Sequence, residues 1–576
     1  MAQKSKPRTK NKSSYRGFEG VDLRKTHSGD ESIALIENFR ITNDGSLKKR
    51  SGFKKIYDGE GEIKASICIT RDGVESCYFV QHDTVKKYTP DDGQTVNIGK
   101  IKIGDNNVFF FEYFDNVYLF DGYSIFSLEP TLKALSGYIP LYGKNWSNSP
   151  SVTVNEPPNM LTDKLAISYK LTPPATSLLP LGPHPIEEIS SLYRNGVLVS
   201  PENYSLNTIY NSISINDFGE NDEFFAVVKM RVTDEMTAER KALFSSHGAE
   251  IFYELNENNL FFWGSNNTNR IYYTKNPDPE STAIIEKHIP SGSFYIPFDN
   301  YFTVASESDR IKAFVRHYDR VLIMTEHSTW ISDPSNLKST DTVIRSINAS
   351  IGCESFNGAV RIENTLISVG KNAIYSWTSQ TDELNECNAY SISEPIKDLL
   401  PKDFFATCKI YVYKRKREIW LYGSSPTQLW IYNLDRKAWY KFSGFNPKEI
   451  LYGGNEPRFF ENEALYCFDD TLLTDIPSGI PIEIVAKIKS GELEFNSGLK
   501  KKLSGATLRG EHNGGELYVS VTLDGERTFS TQLAPRSKHF IFPFRIRSGS
   551  FSSLYFELIA RGIGEEIIHG VEFNAD

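Results

Sequence analysis

One phrase recurs along this chain and limits what it can fold into. A short run of apolar and aromatic residues meets a polar turn, then a second such run. Cys77-Tyr78-Phe79-Val80 is answered by residues 84–88, and 108–114 by 117–120 and then 124–128. Beyond residue 258 the pairs are 259–263 with 270–273, 320–324 with 328–331, and 365–369 with 373–377. Residues 418–422 pair with 428–432, followed by 435–440, and 464–468 close the series. The units return at roughly 45–55 residues, the spacing of propeller blades. Each hairpin has one apolar face and can bury it only against its neighbours. The expected fold is therefore all-β, a β-propeller. No Trp-Asp series or kelch glycine pair repeats in register, so stacked sandwiches remain the alternative. Tyr 30 and Phe 37 against Met 5 also favour strands over helices.

The rhythm breaks between about 150 and 235. Pro157-Pro158, Pro173-Pro174, Pro180, Pro183 and Pro185 read as linkers or edge strands. Then Leu192-Tyr193-Arg194-Asn195-Gly196-Val197-Leu198-Val199 reads as a hairpin on an Asn-Gly turn. Further strands over 204–206, 212–215 and 222–228 suggest a small inserted β-sandwich. The last hundred residues change again. Residues 482–488 alternate with period two, 516–521 run into the Asp524-Gly525 turn, and 554–560 and 571–573 follow. These predict a C-terminal β-sandwich, jelly-roll-like. The expected organisation is a basic arm (1–17), the first part of the propeller (18–150), the insert as a fibre-like module (151–235), the rest of the propeller (236–478) and the C-terminal sandwich (479–576). Helix is expected only after Ser393, over 395–400, and near 233–244.

Residues 1–16 carry six basic side chains and no acid, and read as a disordered arm. It is either a solvated tail or a segment that orders against an acidic partner or nucleic acid. The whole chain is the opposite, with 64 Lys+Arg against 73 Asp+Glu and a net charge of −9. That excludes a dedicated nucleic-acid wrapper and fits an acidic wall that repels DNA. No run reaches the roughly 18 apolar residues of a membrane span, and no apolar signal region follows the first residues. Cys68, Cys77, Cys353, Cys387, Cys408 and Cys467 contain no close CxxC pair, and are expected to sit reduced in the core.

No catalytic constellation emerges: GxSxG, HExxH, P-loop and dinucleotide fingerprints are missing. His317 and His327 fall in separate segments and make a poor metal pair. Asp217, Glu220, Asp222 and Glu223 lack the EF-hand order, so a solvated turn is expected rather than a calcium loop. Thr522-Leu523-Asp524-Gly525 has the flavour of a sialidase Asp-box but the wrong spacing, and it does not repeat. Most aromatics occupy alternate strand positions, which suits a blade core better than sugar stacking. Lys414-Arg415-Lys416-Arg417 reads as an exposed turn, with contact to an acidic subunit or a phosphate backbone as the other reading. No catalytic, cofactor-binding or metal-ligating residue is expected.

Several stretches taken together carry a resemblance. Gly20-Val21-Asp22-Leu23, Ile36-Glu37-Asn38-Phe39-Arg40 and Asp44-Gly45-Ser46-Leu47-Lys48-Lys49-Arg50-Ser51-Gly52 resemble the opening of tail nozzle proteins of short-tailed bacteriophages, with Ser51 where proline is common. Residues 350–355, 391–396 and 430–440 resemble the propeller of the phage tail hub, or head-stabilisation, protein. The ending resembles its C-terminal sandwich. The resemblance implies a non-catalytic virion protein, made in the bacterial cytoplasm and placed in the tail. It would form a homo-oligomeric ring, a hexamer, below the portal and adaptor proteins. That ring would extend the DNA channel, retain the genome and carry fibres or a needle, with genomic DNA passing without sequence-specific binding. The alternatives are a receptor- or glycan-binding propeller at the tail periphery, or a glycan hydrolase.

Overall fold

The computed structural model describes residues 11–575 except 17, 26–31, 145–153, 171–177, 253–257, 267–268, 291, 293, 334–336, 338–342, 379–387, 402, 424–428, 496–499 and 546–548. The fold is all-β. Among the described residues α-helix is confined to Asp234–Leu243, Pro279–Glu286 and the single turn Phe404–Thr407, and no helix is long and apolar enough to cross a membrane. The chain divides into two compact units, Met1–Asn97 with Glu326–Ser328 and Ile347–Asp576, and Ile98–Thr325 with Thr329–Ser346.

In the first unit the recurring hairpins become four-stranded antiparallel meanders. One is Ile63–Arg71, Val74–Gln81, Thr84–Thr89 and Gln94–Lys100. A second is Ala359–Ile362, Thr365–Val369, Ile374–Trp377 and Ala389–Ser391. A third is Lys409–Tyr413, Glu418–Tyr422, Leu429–Asn433 and Ala438–Phe442. Its two central strands are buried along their whole length, Trp420 and Trp430 included, because both faces are covered. The fourth meander, Glu449–Ile450, Arg458–Glu461 and Ala464–Asp469, takes its last strand from far upstream, Gly52–Tyr57. Gly52 suits that approach: a Cβ there would come within 1.9 Å of the Thr474 carbonyl oxygen.

The third meander does not stop at Phe442. Ile33–Glu37 lies parallel to it and pairs antiparallel with Ala486–Ser490. One nine-stranded sheet thus continues through Leu554–Arg561, Glu516–Leu523 and Arg527–Leu533. A six-stranded sheet joins His539–Phe544, Leu503–Asn513 and Glu565–Ala575 to the hairpin Phe39–Ile41/Leu47–Lys49, with Asn11–Arg16 also on Glu565–Ala575. Leu554, Phe556, Leu558 and Ala560 from the larger sheet, and Ile568, Val571 and Phe573 from the smaller, lie in one hydrophobic core.

Three expectations are corrected here. Asn11–Arg16 is a strand, not part of a disordered arm: its Ser13 and Tyr15 are buried, and Tyr15 packs edge-on against Phe556. The basic composition hid that alternation, while residues 1–10 lie outside the described residues. The alternating run 482–488 is two strands, Ile482–Glu483 on Thr474–Asp475 and Ala486–Ser490 in the large sheet. Cys68 and Cys77 are not reduced thiols but a disulfide, set directly opposite across the Ile63–Arg71/Val74–Gln81 hairpin. Antiparallel partners bring α-carbons close enough for that bond. Cys353, Cys408 and Cys467 are free thiols.

The second unit holds three more meanders. They begin at Phe109–Tyr113, Gly248–Ile251 and Ile311–His317. Between the first two lies a six-stranded sheet in the order Val154–Asn155, Leu141–Lys144, Lys164–Lys170, Glu223–Met230, Ile186–Arg194, Val197–Leu198. A three-stranded sheet, Leu178–Pro180, Ser212–Ile215 and Tyr204–Asn207, shares its core through Leu179, Ile213 and Ile215. Asn195 and Gly196 both have positive φ, as a type I′ turn requires. The expected helix is Asp234–Leu243, capped by Thr233, whose side chain accepts from the Met236 N–H. The expected turn after Ser393 is a 3₁₀ helix, Glu394–Leu399.

Candidate functional site

The opening phrase of the chain is an ionic fastener. Gly20 sits where a Cβ would meet the Trp439 backbone nitrogen at 2.8 Å, and Val21 N–H donates to the Trp439 carbonyl at 2.9 Å. Asn38 takes positive φ and bridges three segments. Its carbonyl oxygen accepts from Arg50 Nε at 3.0 Å and from Ser443 N–H at 2.8 Å, while its amide donates to Ser443 Oγ and the Val485 carbonyl. Arg50, 3% exposed, presents its fork to Asp475 through bonds of 2.8 and 2.6 Å, and lies near the faces of Phe53, Phe442 and Phe445. Arg40 Nε lies 2.8 Å from Glu418 Oε1. Glu418 also accepts from Tyr440 OH at 2.7 Å and Trp420 Nε1 at 2.9 Å. Lys49 donates to the carbonyls of Gly562 and Gly564 and faces Glu566 at 3.5 Å. Burial lowers the Lys49 pKa and raises that of Glu566. Buried charges persist only when paired and fully hydrogen-bonded, so these residues hold the N-terminal segment to strands hundreds of residues downstream.

The second unit contains an open cleft of about 940 Å³, a volume in the range of small-ligand sites. Lys164, Lys229, Arg240 and Lys241 line it against Asp105 and Asp163, with Tyr123, Met160, Leu161 and Phe244 supplying apolar surface. Arg240 and Lys241 occupy the last turn of Asp234–Leu243, where cations complement the helix dipole. Arg240 is anchored by Asp163 and by the Thr162 carbonyl at 2.8 Å, and its buried Nε has no hydrogen-bond partner. Lys229 pairs with Glu187 at 3.1 Å. Among the described residues no histidine, cysteine or glutamate lines the cleft, and Asp163 is committed to Arg240. The arrangement can hold an anion-bearing ring compound. It does not offer the two free carboxylates of glycoside hydrolysis.

The residues singled out from sequence are dispersed. His317 is buried at the end of Ile311–His317, and His327 lies outside the strands. Asp222 accepts from Arg194 Nε and Asn195 Nδ2, each at 2.8 Å, and from the Gly219 N–H, so it braces the Asn195-Gly196 hairpin. Lys414–Lys416 is a 3₁₀ turn; Arg415 pairs with Glu456, Lys416 with Asp470, and Arg417 with Glu363 and Asp435. Among the described residues, three metal-type donors converge within 4.8 Å at Cys68, Glu75 and Cys77. The disulfide removes both thiolates there, and Glu75 is taken by Arg458 at 2.6 Å. Sequence reasoning missed the cleft, whose lysines come from two paired strands, far apart in sequence, and a helix. It also missed the helix Pro279–Glu286, although Asp278-Pro279 is an N-cap followed by proline at the first turn.

No protein-family model matches the chain, and no curated protein does. Among solved structures, it is similar to the AfRom2 CNH domain at a TM-score of 0.34 and 6% identity, over 71% of this chain and 97% of that one. It is also similar to a chain of a mitotic checkpoint complex at a TM-score of 0.31 and 9% identity, over 82% and 97%. Likenesses at these TM-scores carry no weight for function.

Proposed function

We propose that this chain is a structural subunit of the tail of a short-tailed bacteriophage. In this reading the meanders are blades of a β-propeller, carrying the inserted and C-terminal β-sandwiches. Six copies form a nozzle ring below portal and adaptor, which extends the DNA channel, retains the genome and bears fibres or a needle. One observation supports it above the others. The phrase that carries the resemblance, residues 20–52, commits three of its charged side chains to buried fastening: Arg40, Lys49 and Arg50 each meet a carboxylate in the interior. Such chemistry suits a part built to bear mechanical load. The net charge of −9 suits a wall along which DNA slides, since phosphate contacts need Lys or Arg. Negative-stain class averaging of the protein, alone and mixed with portal–adaptor complex, tests the reading. A six-fold ring stacked on the adaptor is expected, and persistent monomers without axial binding refute it.

The cleft favours a second reading, a glycan-binding propeller at the tail periphery. Its test is a glycan array, on which Lys241→Ala should abolish any signal of the parent protein.

A further inference from the structure

We propose that Glu511, His569 and His539 form a binding site for a divalent transition metal of the zinc class on the exposed face of the C-terminal sheet. Three adjacent strands supply the donors. Glu511 stands on Leu503–Asn513, His539 directly opposite it on His539–Phe544, and His569 on Glu565–Ala575 on the other side. Both rings approach the same carboxylate oxygen. His569 Nε2 lies 3.5 Å, and His539 Nδ1 3.6 Å, from Glu511 Oε1. Donors around a tetrahedral zinc ion, with bonds of ~2.0–2.1 Å, stand ~3.3 Å apart.

The backbone is shaped for this. Glu566 and Ile568 face the core, and so do Val571, Phe573 and Ala575, a change of parity within one strand. The register slips between Arg509/Gly570 and Gly510/Ile568, leaving His569 as the extra residue of a β-bulge. Bulges re-aim side chains, often beside functional sites. Here the bulge puts His569 on the outer face next to Glu511.

A relay behind His569 fixes its tautomer. Asp44 is held below the usual carboxylate range by hydrogen bonds from Thr42 and Ser46, and as a carboxylate it only accepts. Ser46 Oγ donates to Asp44 Oδ2 at 2.8 Å, which uses its one proton. It therefore accepts from His569 Nδ1–H, also at 2.8 Å. That contact leaves Nε2 as the ring nitrogen turned toward the Glu511 carboxylate. An orienting partner on the far nitrogen is the usual backing of a metal-bound histidine. The three donor atoms are not yet all within 4.8 Å of one another. His539, 75% exposed, is free to turn and close the set, with water as the fourth ligand.

The test is isothermal titration of the untagged full-length protein with ZnCl₂, supported by the visible d–d bands of bound Co²⁺. One saturable site per chain is expected. Glu511→Gln and His569→Ala should each abolish it, and Ser46→Ala should weaken it by about 10- to 100-fold. His512→Asn, on the opposite face of the same strand, should leave it intact. Circular dichroism checks that each variant is folded. No saturable uptake, or uptake that Glu511→Gln and His569→Ala leave unchanged, overturns the proposal.

Discussion

Arg40→Met isolates one ion pair of the fastener. The substitution keeps the apolar stem but removes the cation facing Glu418, whose side chain is 1% exposed. The carboxylate keeps its bonds from Tyr440 and Trp420 and loses its counter-charge. Breaking a buried pair from one side costs about 3–5 kcal/mol, because a lone charge stays in the interior. Unfolding entropy of about 2.1 cal/mol/K per residue, over a cooperative unit of roughly 300 residues, turns that into a fall in Tm of about 4–8 °C. Removing both charges behaves differently. In Arg40→Met with Glu418→Gln the amide still accepts from Tyr440 or Trp420, and the loss shrinks to about 2 kcal/mol or less. Scanning calorimetry reads both, with Trp420 fluorescence as a local probe. Arg24→Ala, which breaks the exposed pair with Asp22, serves as control and costs under about 1 kcal/mol. A single variant as mild as the control, or a double variant worse than the single, would refute the reasoning.

Three more outcomes are expected. Peptide mapping after alkylation without reductant should leave Cys68 and Cys77 unmodified; replacing both by serine should cost about 2–3 kcal/mol in thermal unfolding, the entropy of a short closed loop. His247 is pulled down to about 4, first by burial, then by Arg310 and Lys312, against its hydrogen bond to the Gly264 carbonyl. The unfolded chain therefore binds the extra proton between pH 6.5 and 4, and stability falls as pH drops through that window, by at most about 3 kcal/mol and less with solvent screening; Tm measured against pH should flatten in His247→Gln. Asp222→Ala should loosen the Asn195-Gly196 hairpin by about 1–3 kcal/mol, since it strands the Arg194 and Asn195 donors, and limited proteolysis should then cut at that turn.

Local pattern made the hairpins legible. Period-two runs around Asp-Gly and Asn-Gly turns located the paired strands, because a turn's φ requirements and a sheet's two faces are both written in neighbouring residues. Even the disulfide was within reach: Cys68 and Cys77 are equidistant from the Asp72-Gly73 turn, so a hairpin centred there sets them opposite. Long-range pairing was not legible. Nothing near Ile33–Glu37 says that it links Ala438–Phe442 to Ala486–Ser490, and nothing near Gly52–Tyr57 names Ala464–Asp469 as its neighbour. The charged groups were also misleading in kind. The burial of Arg40, Lys49 and Arg50 depends on carboxylates hundreds of residues away, and Lys164, Lys229 and Lys241 form a cleft only once two strands and a helix are assembled.

Lys49 and Arg50 wait for partners made hundreds of residues later. Lys49 meets Glu566 across a separation of 517 residues, and Arg50 meets Asp475 across 425. At about 5–20 residues per second, a ribosome takes roughly half a minute or more to supply them. During that time Gly52–Tyr57 and Ile33–Glu37 emerge as unpaired edges, the surfaces most prone to wrong association. The first unit therefore cannot close until those distant strands have been made, which gives it a high contact order and a correspondingly slow rate. Chaperone capacity during expression, more than final stability, would then set the yield of folded protein.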